Sequence, residues 1–181
     1  MAIPKNLFLT KGVGKHKQRL TSFEAALRNA GIAHLNIVRV SSILPPHAKI
    51  LSKSKGIAYL SAGEITYAVM AECSTNEPHR LIAASIGVAI PRDRSQYGYL
   101  SEYHSYGETE TKAADKAEDL AAQMLATTLD VPFDPDTSYD ERKEIWKIST
   151  EIVKAMEITQ TAIGNKDGLW TTVIAVAVFI P

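Results

Sequence analysis

Residues 39–46 read RVSSILPP, so Ser41 and Ser42 stand between an apolar run, HLNIV, and a proline pair. A serine held in a constrained turn can attack its own backbone. The Ser42 hydroxyl adds to the carbonyl carbon of residue 41 and converts the amide to an ester. β-Elimination then cuts the chain and leaves dehydroalanine at position 42. Hydrolysis with loss of ammonia turns that residue into a pyruvoyl ketone, an electrophile made from the chain itself. Such chemistry needs an activated peptide in an unusual backbone state. Pro45 and Pro46 stiffen the segment that follows, because each fixes φ and removes an N–H donor. Asn36, six residues upstream of Ser42, can supply a polar side chain near the pair. The competing reading is structural: small hydroxyl residues commonly end strands.

The elements that must hold the pair are marked by their punctuation. KNLFLTKG reads as an opening strand that ends at Gly12, followed by a basic loop, GVGKHKQR. That loop is no phosphate cradle, since no Ser or Thr follows its lysine and the first glycine is wrongly spaced. TSFEAALRNAGI predicts a helix. Thr21 and Glu24 have the S/T-x-x-E capping-box spacing, and Gly31 supplies a left-handed stop. HLNIVRV is the strand that leads to the serines. EITYAVMAEC and HRLIAASIGVAI, joined by STNEP, predict two more strands, and YGYLSEYHSYG another.

TETKAADKAEDLAAQMLATTLD predicts the clearest helix, with Ala117, Leu120, Ala121, Met124 and Leu125 on its apolar face. VPFDPDTS then reads as a connection and YDERKEIW as a short helix. In 148–163 the positions of Ile148, Ile152, Met156 and Ile158 half-fit a helix, but the density of Ile, Val and Thr favours a strand. GNKDG is a turn, and LWTTVIAVAVF closes the chain as a central strand. Strands with two flanking helices predict an α+β layered sandwich.

Bulk properties exclude several classes. A chain of 181 residues is expected to form one domain, 1–181, with a proper core. Lys+Arg and Asp+Glu balance at 20 each, so no global field favours nucleic acid or an anionic membrane. The single cysteine, Cys73, rules out an internal disulfide framework, and a reducing cytoplasm is the expected compartment. MAIPKNLFLTKG lacks the apolar stretch of a signal peptide, and the 13 residues of LWTTVIAVAVFIP are too short to span a bilayer. The five histidines show no metal-ligand spacing.

Taken together, FEAALRNAGIAHLNIVRVSSILPP (23–46), IGVAIPRD (86–93), LSEYHSYG (100–107) and the apolar strand after GLW resemble the pyruvoyl-dependent arginine decarboxylases. The resemblance covers most of the chain and is weakest over 130–147. It implies an αββα sandwich of mostly antiparallel sheets with flanking helices. It also implies cleavage into a β chain, 1–41, and an α chain, 42–181, that begins with a pyruvoyl group derived from Ser42. The protomers would form a homotrimer, sometimes a dimer of trimers, with sites between neighbours. The ketone would condense with the α-amino group of arginine as a Schiff base and draw off electrons while CO2 leaves, giving agmatine.

By the same resemblance Glu102 is the proton donor, and Asn36 serves processing and substrate contact. Ser41 becomes the chain end beside the ketone, and Glu24 recognises the guanidinium group. A carboxyl flanked by Tyr99, Leu100 and Tyr103 could be desolvated, which would favour its protonated form. For Glu24 a bidentate carboxylate–guanidinium pair is one role, and capping its own helix is the other. Asn36 could equally be a strand-edge residue bonded to a loop. Arg39 reads as a structural ion-pair partner. Two rivals stay open: the same cofactor with another amino acid as substrate, and an uncleaved paralogue acting as an oligomeric binding protein.

Overall fold

The computed structural model describes residues 3–130 and 152–180. In chain order the elements are β1 (Asn6–His16), α1 (Arg19–Asn29), β2 (Asn36–Arg39), β3 (Ile43–Leu44), β4 (Lys49–Leu51), α2 (Lys53–Ile57), β5 (Ile65–Thr75), β6 (Leu81–Pro91), β7 (Gly98–Tyr106), α3 (Glu110–Thr128), β8 (Ile152–Ile163) and β9 (Trp170–Ile180). Two sheets form, one ordered β2-β5-β9-β1-β4 and the other β3-β7-β6-β8. Pairing is antiparallel except for β1 with β4 and β2 with β5, which run parallel. The α+β sandwich expected from the pattern is the observed architecture.

β9 shows why the layers stack as they do. Its alternate side chains Val173, Ala175, Ala177 and Phe179 enter the core between the sheets, beside Ile82, Ile86, Val88 and Leu100 of the second sheet. Ile174, Val176 and Val178 point the other way, onto Ala26 of α1 and Ala30, the residue that caps it. Buried on both faces, β9 is the central strand its unbroken apolar run predicted. Each fully buried Val or Ile side chain contributes about 1.5–3 kcal/mol of transfer free energy. α3 covers the outer face of the second sheet through Ala121, Ala122, Leu125 and Ala126.

Three expectations change. β1 does not stop at Gly12 but runs on through Gly14 to His16. Its glycines are there for close approach: a Cβ at Gly12 would lie 2.2 Å from the Ala26 carbonyl oxygen, and one at Gly14 2.1 Å from that of Ser22. Helix α1 begins at Arg19 with Gln18 as N-cap and no side-chain cap, so Thr21 and Glu24 form no capping box. The Glu24 carboxylate instead accepts from Arg28, one turn on, at 2.6 Å. On α3 the buried stripe includes Ala113, Ala122 and Ala126, while Leu120 is 37% exposed.

The left-handed stop at Gly31 is present, with φ of 79°. Ile152–Ile163 is a strand, as the β-branched density indicated. The predicted connection VPFDPDTS and helix YDERKEIW lie outside the described residues.

Candidate active site

Ser41 and Ser42 are the crossing between the sheets. β2 belongs to the first sheet and β3 to the second, and only residues 40–42 separate them. Both ends of this crossing are tied down. Val40 N–H donates to the Ala68 carbonyl at 3.0 Å on the first sheet, and Leu100 N–H donates to the Ser42 carbonyl at 2.8 Å on the second. Between them Ile43 N–H donates to the Ser41 carbonyl at 2.9 Å. Ser41 is exposed and Ser42 half-buried.

The proline pair is anchored in turn. Ala48 N–H reaches the Pro45 carbonyl at 3.2 Å, and His47 sits in the left-handed region with φ of 58°. His47 N–H donates to the Arg94 carbonyl at 2.9 Å, while the Arg94 guanidinium returns a bond to the Ala48 carbonyl. The segment after the serines is therefore held by a side chain that no motif singled out.

Glu102 reaches the site from β7. The Ser42 hydroxyl donates to its Oε2 at 2.9 Å, across 60 positions of sequence. Leu100 and Glu102 share one strand face; Leu100 is fully buried, whereas Glu102 is exposed at the rim. The desolvation expected for Glu102 is thus not observed in this chain. Tyr103 lies on the opposite face, where its hydroxyl donates to Glu108 at 2.7 Å and accepts from Lys116 at 3.1 Å. There the Lys116 ammonium holds the Glu108 carboxyl below its usual range, and burial pushes the Tyr103 phenol up.

The other candidate residues stand elsewhere within one chain. The Asn36 side chain donates to the Gly63 carbonyl at 2.6 Å, which is the loop-bonded arrangement. Glu24 is on α1, which packs against the first sheet, and its carboxylate pairs with Arg28. Arg39 is a structural ion-pair partner: its guanidinium bonds Glu72 at 2.6 Å and lies 5.9 Å from the Phe23 ring centre. Beside Ser41 opens an apolar cavity of about 600 Å³, walled by Val40, Ile43, Pro45, Ile65 and Tyr97. Ser42 does not line it, so the cavity adjoins the pair without containing the Ser42 hydroxyl.

Chemically, the arrangement offers a hydroxyl bonded to a carboxylate next to a peptide whose ends are fixed. A carboxylate at hydrogen-bond distance can take the hydroxyl proton as the oxygen becomes a nucleophile. These residues fit a ketone made from Ser42. The crossing segment, the two backbone donors and Arg94 were not found from sequence. Backbone N–H groups carry no residue signature, and a two-residue strand has no period to read.

Comparison with known proteins agrees with this geometry. The family model for pyruvoyl-dependent arginine decarboxylase matches residues 6–181. A probable pyruvoyl-dependent arginine decarboxylase of Chloroherpeton thalassium is 58% identical over 179 residues, 99% of this chain and 98% of that protein. The pyruvoyl-dependent arginine decarboxylase of Nitrosopumilus maritimus is 54% identical over 98% of this chain and 97% of its own. Pyruvoyl-dependent arginine decarboxylase 2 of Methanosarcina mazei is 52% identical over the same shares. With a serine pair, a partner carboxylate and a near-full-length match in agreement, the chain belongs to the pyruvoyl-dependent arginine decarboxylase family.

Proposed function

We propose that this chain cuts itself between Ser41 and Ser42 and then decarboxylates arginine to agmatine and CO2. The observation that carries the reading is the 2.9 Å bond from the Ser42 hydroxyl to Glu102. A pyruvoyl group at residue 42 would supply a carbonyl that withdraws electrons as the carboxylate leaves. The protein's own groups do the rest. Glu102 takes the Ser42 hydroxyl proton during cleavage, and later holds a proton for the carbon that loses CO2. Ser41, freed as a chain end, stays at the mouth of the apolar cavity.

Glu24 is the guanidinium partner in this reading, and it reaches substrate from a neighbouring protomer. Its support is chemical: a carboxylate pairs bidentately with a planar guanidinium. Asn36 likewise acts at a site completed by a second chain. The assembly is a homotrimer or a pair of trimers, consistent with exposed Ile43 and Ile65 at the cavity. No described helix is long and apolar enough to cross a membrane. The free, buried Cys73 suits the cytoplasm.

One observation favours a second reading, another amino acid as substrate. In one protomer the Glu24 carboxylate is already paired with Arg28, and a persistent pair would leave no acid for a guanidinium. Two measurements test the proposal. Intact mass of purified protein is expected to show two fragments that meet at residues 41 and 42, and Ser42→Ala is expected to stay whole. A parent chain that remains uncut would end the cleavage reading. In a CO2-release panel arginine is expected to lead, and lysine or histidine outpacing it would replace the substrate.

A further inference from the structure

We propose that two backbone N–H groups, those of Ile43 and Leu100, carry the negative charge of the two successive steps of self-cleavage. This rests on the reading that the chain processes itself at Ser42, and adds which groups make that possible.

The Ile43 donor follows from strand geometry. Ile43 pairs with Tyr99, and Leu100 N–H bonds the Ser42 carbonyl. That bond pattern makes Ile43 and Tyr99 a non-hydrogen-bonded pair, so the Ile43 N–H points away from β7. Among the described residues β3 is the outer strand of its sheet, with no further strand on that side. The N–H therefore curls back onto Ser41, at 2.9 Å, closing a three-residue turn centred on Ser42. Ser42 is not among the residues with positive φ, so this is the inverse γ-turn.

The carbonyl it grips is the one that Ser42 attacks. As the Ser42 Oγ–carbon bond forms, the carbonyl π pair moves to the Ser41 oxygen and the hydroxyl proton moves to Glu102. The Ile43 N–H already touches that oxygen and strengthens its bond as charge develops there. When the intermediate collapses, the C–N bond breaks and the proton returns to the Ser42 nitrogen, which leaves an ester.

The second step places charge one carbonyl further on. Loss of the Ser42 Cα proton to water delocalises the electron pair onto the Ser42 carbonyl oxygen as an enolate. Leu100 N–H sits 2.8 Å from that oxygen. The pair then returns to form the Cα–Cβ double bond, the Cβ–Oγ bond breaks, and Ser41 leaves as a carboxylate. Water hydrolyses the dehydroalanine to the ketone and ammonia. Each donor thus faces the oxygen on which charge develops in its own step.

The test replaces single amides by esters in the full chain, made by cell-free translation with α-hydroxy acids at position 43, 100 or 44. Each swap exchanges N–H for O and keeps the side chain. Leu44, paired with Gly98 on the same strand pair, contacts neither oxygen and is the control. Cleavage is followed by intact mass. Hydroxylamine treatment reveals esters, and fragment masses separate a cut at 41/42 from one at an inserted ester. Removing one oxyanion donor typically costs roughly 100-fold or more. The 43 variant is expected to cleave about 100-fold more slowly with no ester at 41/42. The 100 variant is expected to be similarly slow but to accumulate that ester. The 44 variant is expected to stay within a few-fold of the parent. Parental rates at 43 and 100, equal slowing of all three variants, or the same hydroxylamine pattern at 43 and 100 would overturn the assignment. A parent chain that never cuts would remove the processing reading itself, and this inference with it.

Discussion

Glu102→Gln isolates the role of the carboxylate with the least structural disturbance. The substitution keeps the side-chain length and leaves an amide oxygen that can still accept from the Ser42 hydroxyl, which now stands 2.9 Å from Oε2. What is lost is the base. A positioned general base contributes roughly 10²- to 10⁴-fold. Because Glu102 is exposed, water can take over the proton, so the lower end applies: about 100-fold, or ~2.7 kcal/mol of barrier. Cleavage is expected to slow by that factor and still reach completion on long incubation, while arginine turnover by the cleaved enzyme is lost. Stability should hardly move, since a surface change of this kind costs within about 0.5 kcal/mol, or about 2 °C in Tm. The assay is a time course of the uncut chain by intact mass, beside a melting curve. Cleavage at the parental rate would refute the role of Glu102 as base, and unchanged turnover after cleavage would refute its role as proton donor.

Other outcomes follow from specific contacts. Glu24→Gln removes an exposed pair with Arg28 worth about 0.2–0.5 kcal/mol, so stability and cleavage should persist while KM for arginine rises at least about tenfold; an unmoved KM would free Glu24 of substrate recognition. Gly87→Ala puts a Cβ 2.0 Å from the Ala117 carbonyl oxygen of α3, and overpacking against backbone is expected to cost about 2–3 kcal/mol, or a Tm fall of roughly 4–12 °C. A melting curve that does not fall would mean that α3 moves aside freely. Cys73 is 3% exposed and burial pushes its thiol up, so a thiol reagent at neutral pH should label it only after denaturation. Rapid labelling of the native protein would contradict the packing around β5.

The legible and illegible parts of this molecule divide along a physical line. Long strands declare themselves by composition: the run behind β9 and the β-branched density of β8 sufficed, because side-chain burial is written in residue type. Gly12 and Gly14 misled because glycine serves equally as a breaker and as the residue that admits a neighbouring backbone, and only the position of α1 decides between them. The capping-box spacing of Thr21 and Glu24 was genuine as a pattern, yet the helix starts at Arg19 and leaves both residues inside it. Resemblance, not spacing, brought Ser42 and Glu102 together, since 60 positions separate them. Ser42 reaches Glu102 because the chain changes sheets at residues 40–42 and the two-residue strand that receives it lies along β7. A crossing that short leaves little slack, so both serine carbonyls meet fixed N–H donors. The candidate side chains can thus be read from sequence, whereas the backbone groups that hold them in place follow only from where the chain changes sheets.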